Sequence, residues 1–236
     1  MLAWLKRDDP FPPVDKALRN PNGLLCAGAD LSPGRLLAAY RQGIFPWYSG
    51  DEPILWWSPD PRMVLFCEEL KVSRSLAKSI RNKGFELRID SAFSRVTKAC
   101  AEPRKDETGT WLGKEMQAAY LALHHAGHAH SFETWHEDKL VGGLYGVAIG
   151  HAFFGESMFS LATDASKVAL AGLVETLRAR GYPMIDCQQR TPLLASLGGR
   201  EIPRRQFLRR LAALVNYPEP PEKWTRREPA PKHVPA

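Results

Sequence analysis

Residues 140–160 read LVGGLYGVAIGHAFFGESMFS, 161–182 read LATDASKVALAGLVETLRARGY, and 183–189 read PMIDCQQ. The first part is apolar and glycine-rich, broken by one carboxylate, Glu156. The second has a helical period, with Leu170, Leu173, Val174 and Leu177 at i, i+3, i+4 and i+7. Thr163 or Asp164 can cap its start and Gly181 its end. The third part predicts a short strand, Met184 to Gln188. Residues two apart on a strand share a face. Asp186 and Gln188 are therefore expected side by side, near the strand that carries Glu156. Such a surface suits moving a proton off an amine.

Upstream, Ser131 to Trp135 and Leu140 to Ile149 flank the turn His136-Glu137-Asp138-Lys139 and predict a hairpin. A further strand is expected over Ala152 to Phe159. Helices are expected at 73–83, 91–101 and 114–126, and strands at 63–66 and 85–90. The order helix, helix, hairpin, strand, helix, strand resembles an acetyltransferase-type (GNAT-like) core. The expected fold class is α+β. Residues 1–61 form a small N-terminal domain with a Trp-rich loop. Residues 62–216 form a GNAT-like α/β domain, and 217–236 a Pro-rich tail, extended or disordered. Within the first domain, residues 1–30 read as irregular. Ser32-Pro33 opens a helix that runs to Gln42 and stops at Gly43. Trp47, Trp56 and Trp57 then sit among turn formers; they either cover the core or offer a stacking surface. A last helix follows Ile202-Pro203.

An acetyltransferase of this architecture holds pyrophosphate on a Gly-rich loop at a helix N-terminus. Here that position reads SLATDASK, with no glycine and with Asp164, which repels an anion. The glycines at 142, 143, 146, 150 and 155 point to a ligand groove. Glu156 among phenylalanines calls for a partner or a function, because burying a lone carboxylate is costly. It fits an amine-binding role better than a structural ion pair. His124, His125, His128 and His130 have no Cys or carboxylate partner at ligand spacing, so solvated imidazoles at a helix end are expected and no metal. Four scattered cysteines read as reduced thiols. The net charge of +6 suits a polyanionic partner, though on charge alone a merely basic surface is the better account. No apolar run is long enough for a signal peptide or a membrane span.

Taken together, FPWYSGDEPILWWSPDPR, GTWLGKEMQAAY, HAHSFETW, LVGGLYGVAIGHAFFGESMFS, ASKVAL, IDCQ and ASLGGREIPRR closely resemble the leucyl/phenylalanyl-tRNA–protein transferase family, from about Asn22 to Leu211. The resemblance implies transfer of Leu or Phe, with Met as a further donor, from aminoacyl-tRNA to the N-terminal amine of proteins beginning with Arg or Lys. The product enters the N-degron degradation pathway. It implies a GNAT-like domain that uses no acetyl-CoA and no other cofactor, in a cytoplasmic monomer away from membranes. By the family's motifs Asp186 and Gln188 are catalytic, while Glu156 and Trp111 bind substrate. Leu193 stands where members often carry His, and Leu144, Leu173 and Leu177 where some carry Met or Phe. Glu156 would anchor an ammonium. Asp186 would orient the Gln188 amide, and the pair would relay the proton. Trp111, with Trp47 or Trp57, would stack the terminal adenine. Leu144, Phe153, Leu173, Leu177 and Ile185 could line one amino-acid pocket, or be core. Arg74, Lys78, Arg81 and Lys83 form a basic face for tRNA, and Arg204, Arg205, Arg209 and Arg210 form another. The competing readings are an acetyl-CoA-dependent N-acetyltransferase and a non-catalytic RNA-binding module.

Overall fold

The N-terminal segment owes its order to burial. Leu25, Cys26, Ala27, Trp56 and Trp57 are buried, and they draw a Pro- and Gly-rich stretch into short strands. The structure, a computed structural model, describes residues 2–50, 52–102, 112–218, 224 and 226–229. Strands β1 (Ala3–Leu5) and β2 (Leu24–Gly28) precede helix α1 (Pro33–Arg41). Strands β3 (Phe45–Pro46) and β4 (Leu55–Trp57) follow. They make a sheet of order β1-β2-β4-β3. Residues 1–30 are thus not irregular as expected; short strands are hard to read locally because tertiary burial decides them. Pro33 does open α1.

The rest begins with β5 (Arg62–Phe66), α2 (Arg74–Asn82), β6 (Glu86–Ile89), α3 (Phe93–Ala101) and α4 (Lys114–His125). Then come β7 (Ala129–His136), β8 (Lys139–Ile149), β9 (Ala152–Ser160), α5 (Ala165–Ala179) and β10 (Met184–Gln188). The chain continues with α6 (Pro192–Ser196), β11 (Arg200–Ile202), α7 (Arg204–Leu214) and β12 (Arg226–Pro229). A second sheet has order β11-β5-β10-β9-β8-β7-β6-β12. The expected order of helices, hairpin, strand, helix and strand is the order seen, and the fold is mixed α and β. The hairpin turn is tighter than expected. Glu137 and Asp138 alone form it, both at positive φ, which matches the right-handed twist of the strands.

Each face of the larger sheet is covered. Helices α2 and α5 supply Leu76, Ile80, Leu170 and Val174 to one face. On the other face, α1, α3, α4 and α7 supply Leu36, Val96, Leu123 and Leu211. That cluster also holds Trp56 and Val64, so one core runs from the N-terminal segment into the larger sheet. Two bulges re-aim side chains. Tyr145 of β8 pairs with Ser157 and Gly146 with Gly155, leaving Glu156 as the extra residue of β9. Along β10, Asp186 pairs with Val64 and Gln188 with Met63, leaving Cys187 extra. In the tail, Trp224 is buried and β12 pairs with β6.

Candidate active site

The site grows from those two bulges. Strands β9 and β10 run parallel and pair through Ile185–Phe153 and Asp186–Phe154. Glu156 and Gln188 lie past these pairs. The Gln188 amide Nε2 donates to Glu156 Oε1 at 2.9 Å. A carboxylate only accepts, so Gln188 must present its nitrogen there and its oxygen elsewhere. From the facing helices, the Tyr40 hydroxyl donates to Glu156 Oε1 at 2.8 Å and the Tyr120 hydroxyl to Oε2 at 2.5 Å. The two hydroxyl oxygens are 2.8 Å apart. Burial pushes the Glu156 carboxyl up to about 7, against the lowering pull of both hydroxyls; the Asp186 charge adds to the rise. Burial, reinforced by the Glu156 charge, holds both phenols well above their usual range. Tyr145 lies edge-on to Tyr120 at 5.3 Å between ring centroids, and its buried hydroxyl has no hydrogen-bond partner among the described residues.

Asp186 is held differently. It is 2% exposed and grips the fully buried Arg62, with Nε to Oδ1 at 2.8 Å and Nη2 to Oδ2 at 2.7 Å. The guanidinium also donates to the Gly43 carbonyl at 3.1 Å and lies 4.8 Å from the Phe45 ring and 4.7 Å from the Phe207 ring. Asp186 Oδ1 accepts the backbone N–H of Gln188 at 3.0 Å. The expectation that Asp186 orients the Gln188 side-chain amide is therefore corrected. The bulge interrupts the strand alternation, the guanidinium occupies the carboxylate, and Glu156 holds the amide.

The glycines do not line an open groove. A Cβ at Gly142 would meet Ala165 at 2.5 Å, and one at Gly146 the Phe154 carbonyl at 2.3 Å. These glycines let α5 and neighbouring strands approach closely. Gly155 is the exception, because a Cβ there would stand 3.4 Å from Ile185 Cγ2, an ordinary contact. Leu144, Phe153, Leu173, Leu177 and Ile185 are gathered in one buried cluster on the α5 face. The tyrosines reach Glu156 from the other face, so Gly155 is where the two sets come near.

Arg74, Lys78 and Arg81 are exposed on α2, whereas half-buried Lys83 donates to the Thr163 carbonyl at 2.9 Å. Of the second basic face, Arg205, Arg209 and Arg210 are exposed and the Arg204 side chain is tied to the Ser58 carbonyl. Trp47 is 39% exposed, but Trp57 is buried and donates its Nε1–H to the Trp47 carbonyl at 2.6 Å, which removes it as a stacking surface. Trp111 lies outside the described residues. The imidazoles are not simply solvated. His130 is buried with Nδ1 2.8 Å from Asp90 Oδ2, and His124 stacks on Phe93 at 4.2 Å. Among the described residues no group of His, Cys, Asp and Glu could hold a metal ion. At the start of α5, Asp164 accepts from Ser79 at 2.7 Å and Lys167 at 2.9 Å.

Sequence reasoning missed Tyr40, Tyr120 as a donor, and Arg62. A tyrosine on the buried side of a helix was the available signal, since a buried hydroxyl usually finds a partner. Nothing local marked Arg62 as buried.

A family described as Leucyl/phenylalanyl-tRNA protein transferase matches residues 64–212, and its N-terminal domain matches residues 29–60. A leucyl/phenylalanyl-tRNA–protein transferase of Nitrosomonas europaea is 61% identical over 95% of this chain and 95% of its own. Another, of Chromobacterium violaceum, is 58% identical over 95% of this chain and 96% of its own. Among solved structures, a GCN5-related N-acetyltransferase from Kribbella flavida matches 72% of this chain and 60% of that chain, at 11% identity and a TM-score of 0.34. So distant a likeness carries nothing about the site.

Proposed function

This chain belongs to the leucyl/phenylalanyl-tRNA–protein transferase family, and from that premise we propose that it moves Leu or Phe from aminoacyl-tRNA to the N-terminal amine of proteins beginning with Arg or Lys. Met is a further donor. The modified protein enters an N-degron pathway, and the enzyme works as a cytoplasmic monomer without a cofactor. Among the described residues no helix is long and apolar enough to cross a membrane.

The observation that carries this reading is the Glu156 carboxylate, raised to about 7 and held by hydroxyls and an amide. The reaction is aminolysis of an ester. The acceptor nitrogen bonds to the carbonyl carbon, and the carbon–oxygen bond to the ribose breaks. One proton leaves the nitrogen and one joins the ribose oxygen. An ordinary carboxylate is too weak a base for this at neutral pH. A carboxyl near 7 can take the proton and give it back, so proton transfer replaces the ammonium-anchoring role that the resemblance implied for Glu156. The Gln188 amide oxygen is available to accept an N–H of the attacking amine, because its nitrogen is committed to Glu156. Asp186, paired with Arg62, contributes position. Orientation supplies much of the remaining acceleration. The Leu or Phe side chain would enter beside Gly155 toward Phe153 and Ile185. Trp47 and Trp111 would flank the terminal adenine, and Arg74, Lys78 and Arg81 would meet phosphates, with Lys83 at their edge.

The deciding experiment incubates the protein with labelled Leu-tRNA and peptides that begin with Arg, Lys or Ala. Label is expected in the Arg and Lys peptides and not in the Ala peptide. Label in none of them overturns the reading.

A further inference from the structure

We propose that Arg62 is a positioning residue for this reaction: acting through Asp186, it holds Gln188 in place and joins the segment that carries Trp47 to the same strand. The inference rests on the proposed function. Arg62 has no solvent exposure, and its guanidinium is shared between Asp186, the Gly43 carbonyl and the faces of Phe45 and Phe207. Stability alone is a weak account of such a pair, because desolvating two charges costs about as much as their attraction returns. What the pair does produce is geometry. With both its oxygens on the guanidinium, the Asp186 carboxylate is fixed where Oδ1 also accepts the Gln188 N–H at 3.0 Å. Gln188 has a φ of 63°, a left-handed backbone that a non-glycine residue adopts only when its surroundings impose it. That turn aims the Gln188 side chain at Glu156, 2.9 Å away. Arg62 also donates to Gly43, and the chain from Gly43 passes through Phe45, under the same guanidinium, to Trp47. One side chain thus sets the relation between a candidate adenine-stacking segment and the amide beside the reacting amine.

The test replaces the pair by apolar side chains of similar size, Arg62→Met with Asp186→Leu, which a buried pair tolerates without loss of stability. The expected variant keeps the wild-type melting midpoint. Its single-turnover transfer falls about 100-fold, the scale of a misplacement near 1 Å. In 15N-labelled protein the Gln188 backbone and side-chain amide signals should also move. Asp186→Leu by itself removes a charge and the acceptor of the Gln188 N–H. Slower transfer and moved signals in the double variant thus implicate Arg62 only when Arg62→Lys, which leaves Asp186 in place, shows them too. Wild-type transfer in the double variant overturns the proposal. Arg62→Lys is therefore the deciding variant, and it serves alone if the double variant does not fold. It keeps the charge but not the two-pronged grip, and should slow transfer and move the same signals. Unchanged transfer and signals in Arg62→Lys likewise overturn the proposal. If the wild-type protein transfers nothing, the proposed function fails, while the Gln188 signals still decide whether Arg62 positions that residue.

Discussion

Asp186 is buried and Glu156 half-buried, and their neighbours give the two carboxylates opposite characters. Asp186 is neutralised by a guanidinium at 2.7 Å, whereas Glu156 has only neutral donors around its oxygens among the described residues. The sequence reading assigned the ion pair as the alternative for Glu156, and the structure puts it on Asp186. Sequence marks a buried carboxylate by its apolar flanks, but the partner comes from a distant strand and is invisible locally. The difference is measurable. The Glu156 carboxyl is raised from 4.5 to about 7. A group raised on folding contributes stability below its unfolded value and loses it as pH climbs through the folded value. The protein should therefore lose up to about 3 kcal/mol between pH about 4.5 and about 7 on this account. Glu156→Gln should flatten that slope, as read by urea unfolding at several pH values. Equal slopes in variant and wild type would show that Glu156 does not titrate there. The same variant should lose the acid limb of the transfer rate near pH 7 and leave only a slow residual rate.

At the scale of elements, the helices over 114–126 and 165–179 and the strand Met184–Gln188 were legible because period and the closing glycines, Gly127 and Gly181, agreed with the core they enter. The bulges at Glu156 and Cys187 were not, since nothing in a run of apolar residues tells which one is left unpaired. The expected cap at Thr163 or Asp164 is not made: the Asp164 side chain bonds Ser79 and Lys167 and caps no helix N–H. Helix α2 carries its own prediction. Its buried side is Leu76, Ser79 and Ile80, and its exposed side presents Arg74, Lys78 and Arg81. Phosphate contacts release counterions, so tRNA affinity should fall steeply with salt. Neutralising these residues together should flatten that dependence for leucine and phenylalanine tRNAs alike. A short aminoacyl-adenosine mimic should bind almost unchanged. Equal losses for mimic and tRNA would remove α2 as the platform. Helix α5 tests the pocket. Leu173 is 1% exposed between Leu170 and Val174, so Leu173→Ala should cost about 2–5 kcal/mol of stability. If it also lines the pocket, donor preference should shift from Leu toward Phe by about 1–3 kcal/mol in transfer. A folded variant with an unmoved Leu/Phe ratio would leave Leu173 as core only.

The molecule as a whole is closed by its C-terminal segment, which the composition of the tail concealed. Proline and charge dominate residues 217–236, and the expected extended run is seen at β12, held beside a buried Trp. Trp224 is 4% exposed, stacks on His130 at 4.0 Å, lies 6.2 Å from Phe153, and is capped by the Arg180 guanidinium at 4.5 Å. Its backbone N–H donates to Asp90 at 3.0 Å, and β12 then covers the outer edge of β6. Cutting the chain after Pro218 removes all of this at once. Losing a buried aromatic costs about 3–5 kcal/mol, and each kcal/mol lowers the midpoint by about 2–4 °C in a chain of this size. The shortened protein should therefore melt roughly 10 °C lower. It should also self-associate more as concentration rises, because β6 becomes an exposed edge. Trp224→Phe in the full chain should recover most of the midpoint, since the smaller ring still fills the site and β12 remains. Calorimetry and light scattering on the three proteins decide the matter. A truncated protein that melts within a degree or two of the full chain and stays monomeric would mean that this segment rests on the sheet without stabilising it.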